Sequence, residues 1–374
     1  MGVGKGGLKA GNKPDILVIL LPHPCTASFL FTTNHFKSAS VIYSEKVLRE
    51  RDTIRALVIN GGNANCGVGE EGIIHAEMMA RETAKHLDID YREVLVFSTG
   101  IIGKPLPIES VLEGIASACR ILEPLDLKRA SEVISTTDRF PKYAFVKKGA
   151  LEVFGFAKGA GMIHPQMATM LSFIFTNAEV KGDVLRKLHR EINERTFNSI
   201  SVDGCTSTND SFGIISLGFI KEDLENLRQS LEEVSLSLAK KIVEDGEGAT
   251  RIIKVVVKNA SISLKAKTIA EKIATSNLVK TAIFGRDPNW GRIVASAGST
   301  PFPIDQFKLR VYIGNHLVYD GKPHPKAVES AKKYLEENRE IEITLDLREG
   351  KESWTYYTSD LTYDYIKINA EYTT

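Results

Sequence analysis

Between Lys158 and Leu171 the chain reads Lys-Gly-Ala-Gly-Met-Ile-His-Pro-Gln-Met-Ala-Thr-Met-Leu, and no other stretch constrains the fold as strongly. Three small residues follow Lys158 and allow close backbone approach and unusual dihedrals, and Pro165 stiffens the residues next to it. Met170-Leu171-Ser172-Phe173-Ile174-Phe175 then reads as a buried strand. The segment therefore leads into the interior of a sheet, so the chain before it must fold together with the chain after it. Ala168-Thr169 also has the character of a self-cleavage junction. The small residue leaves its carbonyl open to the neighbouring hydroxyl, and the ester so formed can be cut by water. Cleavage would free the Thr169 α-amine, whose ordinary pKa of about 7.7–8.0 leaves a useful fraction unprotonated at neutral pH. Nucleophile and base would then share one residue. A threonine at the head of a buried strand is usually only strand; the small residues and the proline before it favour the chemical reading.

Apolar runs at residues 16–21, 29–31, 56–59, 94–97, 170–175, 214–217, 252–257, 309–313 and 341–345 predict strands in both halves. Ile73, Ala76, Ala80, Ala84 and Leu87 recur at helical spacing, as do Leu224, Leu227, Leu231, Val234, Leu238 and Ile242. Strands and helices mix without strict βαβ alternation. That argues for α+β layers, or an α/β/β/α sandwich, rather than a doubly wound parallel sheet. No repeat or low-complexity linker interrupts the chain. Its one break is chemical, giving residues 1–168 and 169–374, expected to form one intertwined unit with room for a smaller C-terminal subdomain.

At 374 residues, 43% hydrophobic and 25% charged, the chain has the length and composition of a globular protein with a large core. Its 48 basic and 47 acidic residues leave a net charge of +1, too balanced to steer it to nucleic acid or an anionic membrane. The apolar run at residues 16–21 is far below the roughly 18–20 residues of a bilayer-spanning helix. Cys25, Cys66, Cys119 and Cys205 contain no CxxC pair and follow no secretory leader, which fits a reduced cytoplasm. The eight histidines show no HxH or HExxH spacing, so no metal is expected. Gly2-Val3-Gly4-Lys5-Gly6-Gly7 matches GxGxxG only formally, because a dinucleotide fingerprint must follow a strand and open a helix.

Several loops carry candidate chemistry beside a plainer reading. Thr99 and Gly100 follow the apolar run Val94-Leu95-Val96-Phe97-Ser98, and a glycine turn at a strand end can aim backbone N–H groups at a developing oxyanion. Most strands end this way without any such role. Asn63 and Asn65, in a glycine loop, can donate to a carboxylate or oxyanion or simply satisfy local backbone. His164 is a candidate base that a free Thr169 amine makes redundant, which favours a structural role. Cys66 and Cys205 have no base near them in sequence and read as small apolar groups. Glu247 sits among glycines at a strand entry, either solvated or paired with a cationic substrate group. In Asp287-Pro288-Asn289-Trp290, Asp287 is expected to cap a helix with Pro288 at its first position.

Taken together these segments resemble the ornithine acetyltransferase (glutamate N-acetyltransferase) family of arginine biosynthesis, over nearly the whole chain. The resemblance runs through Pro24-Cys25-Thr26-Ala27, Phe31-Thr32-Thr33-Asn34, Ser98-Thr99-Gly100, Thr136-Thr137-Asp138 and the junction. It continues through residues 201–210, Gly246-Glu247-Gly248-Ala249-Thr250, residues 284–292 and the terminal residues 369–374. It implies an N-terminal-nucleophile-like fold, cut between Ala168 and Thr169 into α and β chains that pair as α2β2. It makes Thr169 the acetyl-carrying nucleophile and Thr99 and Gly100 the oxyanion residues. Substrate contacts fall on Thr136 (Thr137 the adjacent candidate), Lys158, Thr169, Glu247, Asn369 and Thr374. Family members commonly read GNANACTG where this chain has Gly62-Asn63-Ala64-Asn65-Cys66-Gly67-Val68-Gly69, so that loop takes no role from the resemblance.

The expected reaction is a ping-pong transfer of acetyl from N2-acetyl-L-ornithine to L-glutamate through acetyl-Thr169, with no bound cofactor and with acetyl-CoA open as a second donor. One rival is an amidase or aminopeptidase of the same architecture, which would release the acyl group to water. Another is a nucleotide- or protein-binding module, which would remain one intact chain.

Overall fold

The computed structural model describes residues 1–164 and 170–371. The chain forms two compact units, Met1–Asn198 with Cys205–Ile242, and Ser199–Gly204 with residues 243–371. Each unit carries one mixed sheet flanked by helices, the α+β architecture expected from the sequence. The units do not divide at residues 168 and 169; strands from both sides of that bond belong to the first.

In the first unit the strands are β1 (Gly2–Gly4), β2 (Ile16–Phe31), β3 (Thr53–Asn63), β4 (Val94–Ile101), β5 (Lys142–Lys148), β6 (Leu151–Lys158) and β7 (Leu171–Ala178). The short β8 (Ile200–Ser201) belongs to the second unit, and β9 (Ser211–Ile220) completes the first sheet. Their order is β4-β3-β2-β9-β7-β6-β5, with β1 on β2. Two neighbouring pairs are parallel, β3 with β4 and β7 with β9. Parallel neighbours need a crossover, and the helices α2 (Glu71–Leu87) and α5 (Gly182–Arg195) lie in those two connections. Before them comes α1 (Ala39–Glu50), with α3 (Ile108–Arg120) and α4 (Leu127–Ile134) between; α6 (Leu224–Glu244) follows β9. The predicted periodicities hold except in the first turns: Ala76, Ala80 and Ala84 are buried on α2, and Leu227, Leu231, Val234, Leu238 and Ile242 on α6, whereas Ile73 and Leu224, at the starts of these helices, are exposed.

The runs at 16–21 and 29–31, read from the sequence as separate strands, are one strand, β2, whose register against β3 shifts between Leu20 and Cys25, around Pro22 and Pro24, which lack an N–H. The N-terminal glycines serve packing: a Cβ at Gly2 or Gly4 would overlap the carbonyl oxygens of Ala118 or Gly114 on α3.

The second sheet runs β12-β11-β13-β10-β14-β8, with β10 (Ile252–Ala260), β11 (Arg310–Ile313), β12 (His316–Asp320), β13 (Glu340–Asp346) and β14 (Glu352–Ser359). Ala266, Ile269, Ala270 and Ile273 of α7 (Ser263–Ala274) are buried, and α7 packs on β10 and β14. β14 escapes an apolar-run reading because it is rich in hydroxyls. Its Trp354 donates to Ser199 Oγ at 2.9 Å and its Tyr356 to the Ile200 carbonyl at 3.1 Å, which satisfies the polar tips inside. After α8 (Asn277–Phe284), the helix α9 (Trp290–Gly298) is capped by Asn289, which accepts from the Arg292 amide at 3.1 Å, and not by Asp287. Asp287 instead accepts from the Asn289 carboxamide at 2.9 Å, while Asn289 keeps the non-helical dihedrals a cap requires. Trp290 stacks on Tyr319, with ring centroids 4.9 Å apart. The unit ends with α10 (Pro325–Glu337) and α11 (Tyr363–Glu371). Among the described residues no helix is long and apolar enough to cross a membrane.

His189 on α5 offers a test of the first unit's packing. It is buried against the edge of Phe212 and its Nδ1 lies 2.9 Å from Ser28 Oγ. Burial, with the neighbouring Arg190 cation, lowers its pKa from 6.5 to about 3. The unfolded chain therefore takes up this proton near 6.5 while the native state resists it. The contribution is intact above that pH and is lost as pH falls toward 3. Across this window the native protein should lose about 1.4 kcal/mol more per pH unit than His189→Gln. Chemical denaturation across the same range checks this, and parallel slopes for the two proteins would contradict it.

Candidate active site

The sheet of the first unit brings Thr99 and Lys158 together from opposite sides of β2. Thr99 lies near the end of β4 and Lys158 is the last residue of β6; both are almost wholly buried. The Lys158 ammonium donates to Thr99 Oγ1 at 3.0 Å. A hydroxyl that accepts from an ammonium keeps its own hydrogen to donate, and the positive charge polarises that O–H. Beside it Gly100 adopts φ +135°, and a Cβ there would overlap the Gly62 carbonyl carbon, so only glycine lets β3 and β4 close on each other at this point. Thr99 and Gly100 are therefore not the turn expected from the sequence but strand, paired with Gly61 and Gly62 of β3 beside an irregularity in the ladder; Thr99 is buried with a cation behind it, and Gly100 is half-buried.

A buried ammonium requires a counter-charge, and the carboxylate that sequence reasoning left without a role supplies it. Asp138 Oδ1 accepts from the Lys142 ammonium at 2.6 Å and from the Gly159 amide at 2.8 Å, and Oδ2 accepts from the Thr136 amide at 3.0 Å. Burial alone would raise its pKa. The ammoniums of Lys142 and Lys158 and the Gly159 amide outweigh that and hold the carboxyl at about 2. Thr136 is therefore placed through its backbone on the same carboxylate that faces Lys158 and the residue after it. The signal was present in sequence: Asp138 and Lys142 are four apart in a segment with no helical pattern, and a lysine at the head of a strand must find an anion if it is buried.

β6 and β7 are antiparallel neighbours with Lys158 opposite Leu171, so the two sides of the expected junction are anchored in adjacent strands. Ala168, Thr169 and the terminal Thr374 lie outside the described residues. Burial lowers the pKa of His164 below its usual value, which suits a neutral structural imidazole. The amino groups of the Asn63 and Asn65 carboxamides are spent on backbone carbonyls: Asn63 donates to that of Lys104 at 2.9 Å and Asn65 to that of Gly72 at 2.9 Å. Cys66 is buried, and burial raises its thiol pKa, the opposite of what a nucleophile needs. Among the described residues no group of three His, Cys, Asp or Glu side chains is placed to hold a metal ion.

Glu247 and Asn369 belong to the second unit, and the structure joins them across 122 positions of sequence: Asn369 Nδ2 donates to Glu247 Oε2 at 3.1 Å. The loop that carries Glu247 is fixed by Asp360, which accepts from the amides of Thr250 at 2.9 Å and Arg251 at 3.0 Å. It is fixed again by Thr362, whose hydroxyl donates to the Gly248 carbonyl at 2.7 Å. Glu247 therefore presents a carboxylate from a rigid turn, partnered by an exposed carboxamide.

The chain's relatives fix its family. The sequence profile of the ArgJ family matches residues 1–374, and the chain belongs to that family. It is 65% identical over 374 residues to the arginine biosynthesis bifunctional protein ArgJ of Aquifex aeolicus, which covers 100% of this chain and 99% of that one. The ArgJ protein of Thermotoga neapolitana is 42% identical over 381 residues, 97% of this chain and 96% of its own. A crystal structure of the Bacillus halodurans ArgJ protein matches with a TM-score of 0.51 at 35% identity, over 54% of this chain and 98% of that one.

The buried ion pair makes a direct prediction. Asp138→Ala takes the counter-charge from two buried ammoniums, and the loss of one partner of such a pair should cost about 3–5 kcal/mol of unfolding free energy. The double replacement Asp138→Ala with Lys142→Met should recover part of that loss. Urea denaturation of the three proteins measures both, and a single variant as stable as the parent would show that the carboxylate is not what balances these charges.

Proposed function

We propose that the chain is a glutamate N-acetyltransferase of arginine biosynthesis that moves acetyl from N2-acetyl-L-ornithine to L-glutamate through acetyl-Thr169. The observation that carries this reading is the Lys158 ammonium donating to the Thr99 hydroxyl beside Gly100, near the end of β4, in a chain of the ArgJ family. Cleavage between Ala168 and Thr169 gives Thr169 its amine. That amine takes the hydroxyl proton as the oxygen attacks the acetyl carbonyl. The carbonyl oxygen gathers negative charge and is met by the Thr99 O–H and the Gly100 N–H. Collapse expels ornithine, whose departing amine receives the proton, and leaves the acetyl ester on Thr169. L-glutamate then enters, and its α-amine takes the acetyl group by the same steps in reverse.

Both amino acids share an α-amino-acid head, so one set of contacts serves both. We assign this set to Thr136, Lys158, Asn369 and Thr374, with Glu247 supplying the charge that suits the ornithine side-chain ammonium. The relatives are called bifunctional, and the second activity we assign here is transfer from acetyl-CoA to glutamate. The cut pieces, residues 1–168 and 169–374, are proposed to stay paired and to assemble as α2β2 in the cytoplasm.

Incubation of the protein with N2-acetyl-L-ornithine, with and without L-glutamate, tests the reaction. N-acetylglutamate formed in step with free ornithine supports it, whereas acetate released at the same rate in both samples marks a hydrolase. Thr169→Ala should abolish transfer and leave the chain uncut. Thr99→Ala should lower kcat by about 10²–10³-fold, the usual loss for one oxyanion donor. A Thr99→Ala enzyme with unchanged kcat would remove Thr99 from this role. Acetyl-CoA with glutamate alone should also yield N-acetylglutamate, and no product there would restrict the enzyme to the ornithine donor.

A further inference from the structure

The segment Thr208-Asn209-Asp210 belongs to the sequence resemblance but has no part in the chemistry just described. Asn209 is buried, and its Nδ2 donates to two backbone carbonyls, Ala64 at 2.7 Å and Ser98 at 2.8 Å. Both partners are acceptors, so only the amino end of the carboxamide can face them, and its two hydrogens are both used. Its Oδ1 accepts from the Thr208 hydroxyl at 2.6 Å, which fixes the orientation. Ser98 immediately precedes Thr99, and Ala64 follows the end of β3, so this one side chain ties together the ends of β3 and β4 where Thr99 and Gly100 lie.

The next residue reaches the other half of the reaction. Asp210 is wholly buried, and its Oδ1 accepts from the Met170 amide at 2.9 Å. That amide nitrogen is bonded to the carbonyl carbon of Thr169. The backbone adds to the link, because the Ser211 amide donates to the Met170 carbonyl at 3.0 Å and the Thr32 amide to the Asp210 carbonyl at 3.0 Å.

We propose that Asn209 and Asp210 act as one positioning pair, Asn209 fixing the strand end that carries the oxyanion donors and Asp210 fixing the residue after the nucleophile. Adjacent residues on one backbone thereby set the separation of the attacking oxygen and the oxyanion donors. The inference rests on the reading of Thr169 as nucleophile and Thr99 and Gly100 as oxyanion donors. Asp210 works here as a hydrogen-bond acceptor and needs no charge. Burial raises its pKa well above the usual carboxylate value, which agrees with a neutral side chain at this place.

The test compares Asn209→Leu, Asp210→Ala and Asp210→Asn with the parent, with turnover expressed per cut chain as judged on a denaturing gel. Asn209→Leu and Asp210→Ala should each lower kcat by about 10²-fold with KM for both substrates little changed, the signature of misplaced reacting groups. Asp210→Asn keeps an acceptor for the Met170 amide and should recover at least about tenfold of that loss. Hydrogen exchange of the peptide that begins β7 reads the clamp without reference to activity: it should quicken in Asp210→Ala and not in Asp210→Asn. An active parent with unchanged kcat in Asp210→Ala overturns the inference, as does an Asp210→Asn protein as slow as Asp210→Ala, which would make the carboxyl a proton carrier. A parent that transfers no acetyl, but shows this exchange pattern, overturns the functional reading and leaves the clamp standing.

Discussion

A lysine ammonium held inside a sheet is the constraint around which the first unit is arranged. Lys158 ends β6 almost out of contact with solvent, and so positive a group is tolerated there only where the surroundings answer it. Two kinds of answer are present. The Asp138 carboxylate provides charge and spends its remaining capacity on Lys142, Gly159 and Thr136, so nothing about it is left loose. The Thr99 hydroxyl provides a hydrogen-bond acceptor, and by accepting it becomes a better donor toward whatever lies in front of it. Structural need and chemical use meet in the same contact.

The sheet order then bears on the proposed cut. β6 and β7 are neighbours, and beyond β7 lies β9, which also pairs with β2. The strands on either side of the Ala168-Thr169 bond are thus held by ladders of backbone hydrogen bonds to each other and to the rest of the unit, so the two pieces of a chain cut there would keep these ladders.

Local pattern made much of this legible. The helical spacings on α2 and α6 and the apolar cores of β3, β4, β7 and β10 could be read directly, because burial on one face leaves a period in the sequence. What was not legible depends on partners far along the chain. β14 is full of hydroxyl and aromatic residues whose polar tips are satisfied by Ser199 and Ile200, more than a hundred and fifty positions away. β2 looked like two strands because a register shift falls at its middle. In the site, Thr99, Gly100 and Lys158 were recognisable as residues but not as neighbours. Asp138 and Lys142 carried only the weak signal of their spacing, and Asn209 and Asp210 none of their own, since a buried polar side chain is defined by what folds around it. The N-cap at Asn289 rather than Asp287 is the same lesson on a smaller scale: the residue type was right for either position, and the dihedrals decided.

The proposed reaction requires an acetyl group to ride on a threonine that has become the first residue of its own polypeptide. Intact mass spectrometry of freshly purified, active enzyme, after brief exposure to N2-acetyl-L-ornithine without glutamate, is the decisive measurement. Two polypeptides are expected, residues 1–168 and residues 169–374, with the second heavier by one acetyl group that fragmentation places on Thr169 and that glutamate removes. A fully active preparation consisting of one uncut chain, or an acetyl group lodged on any other residue, would refute this chemistry.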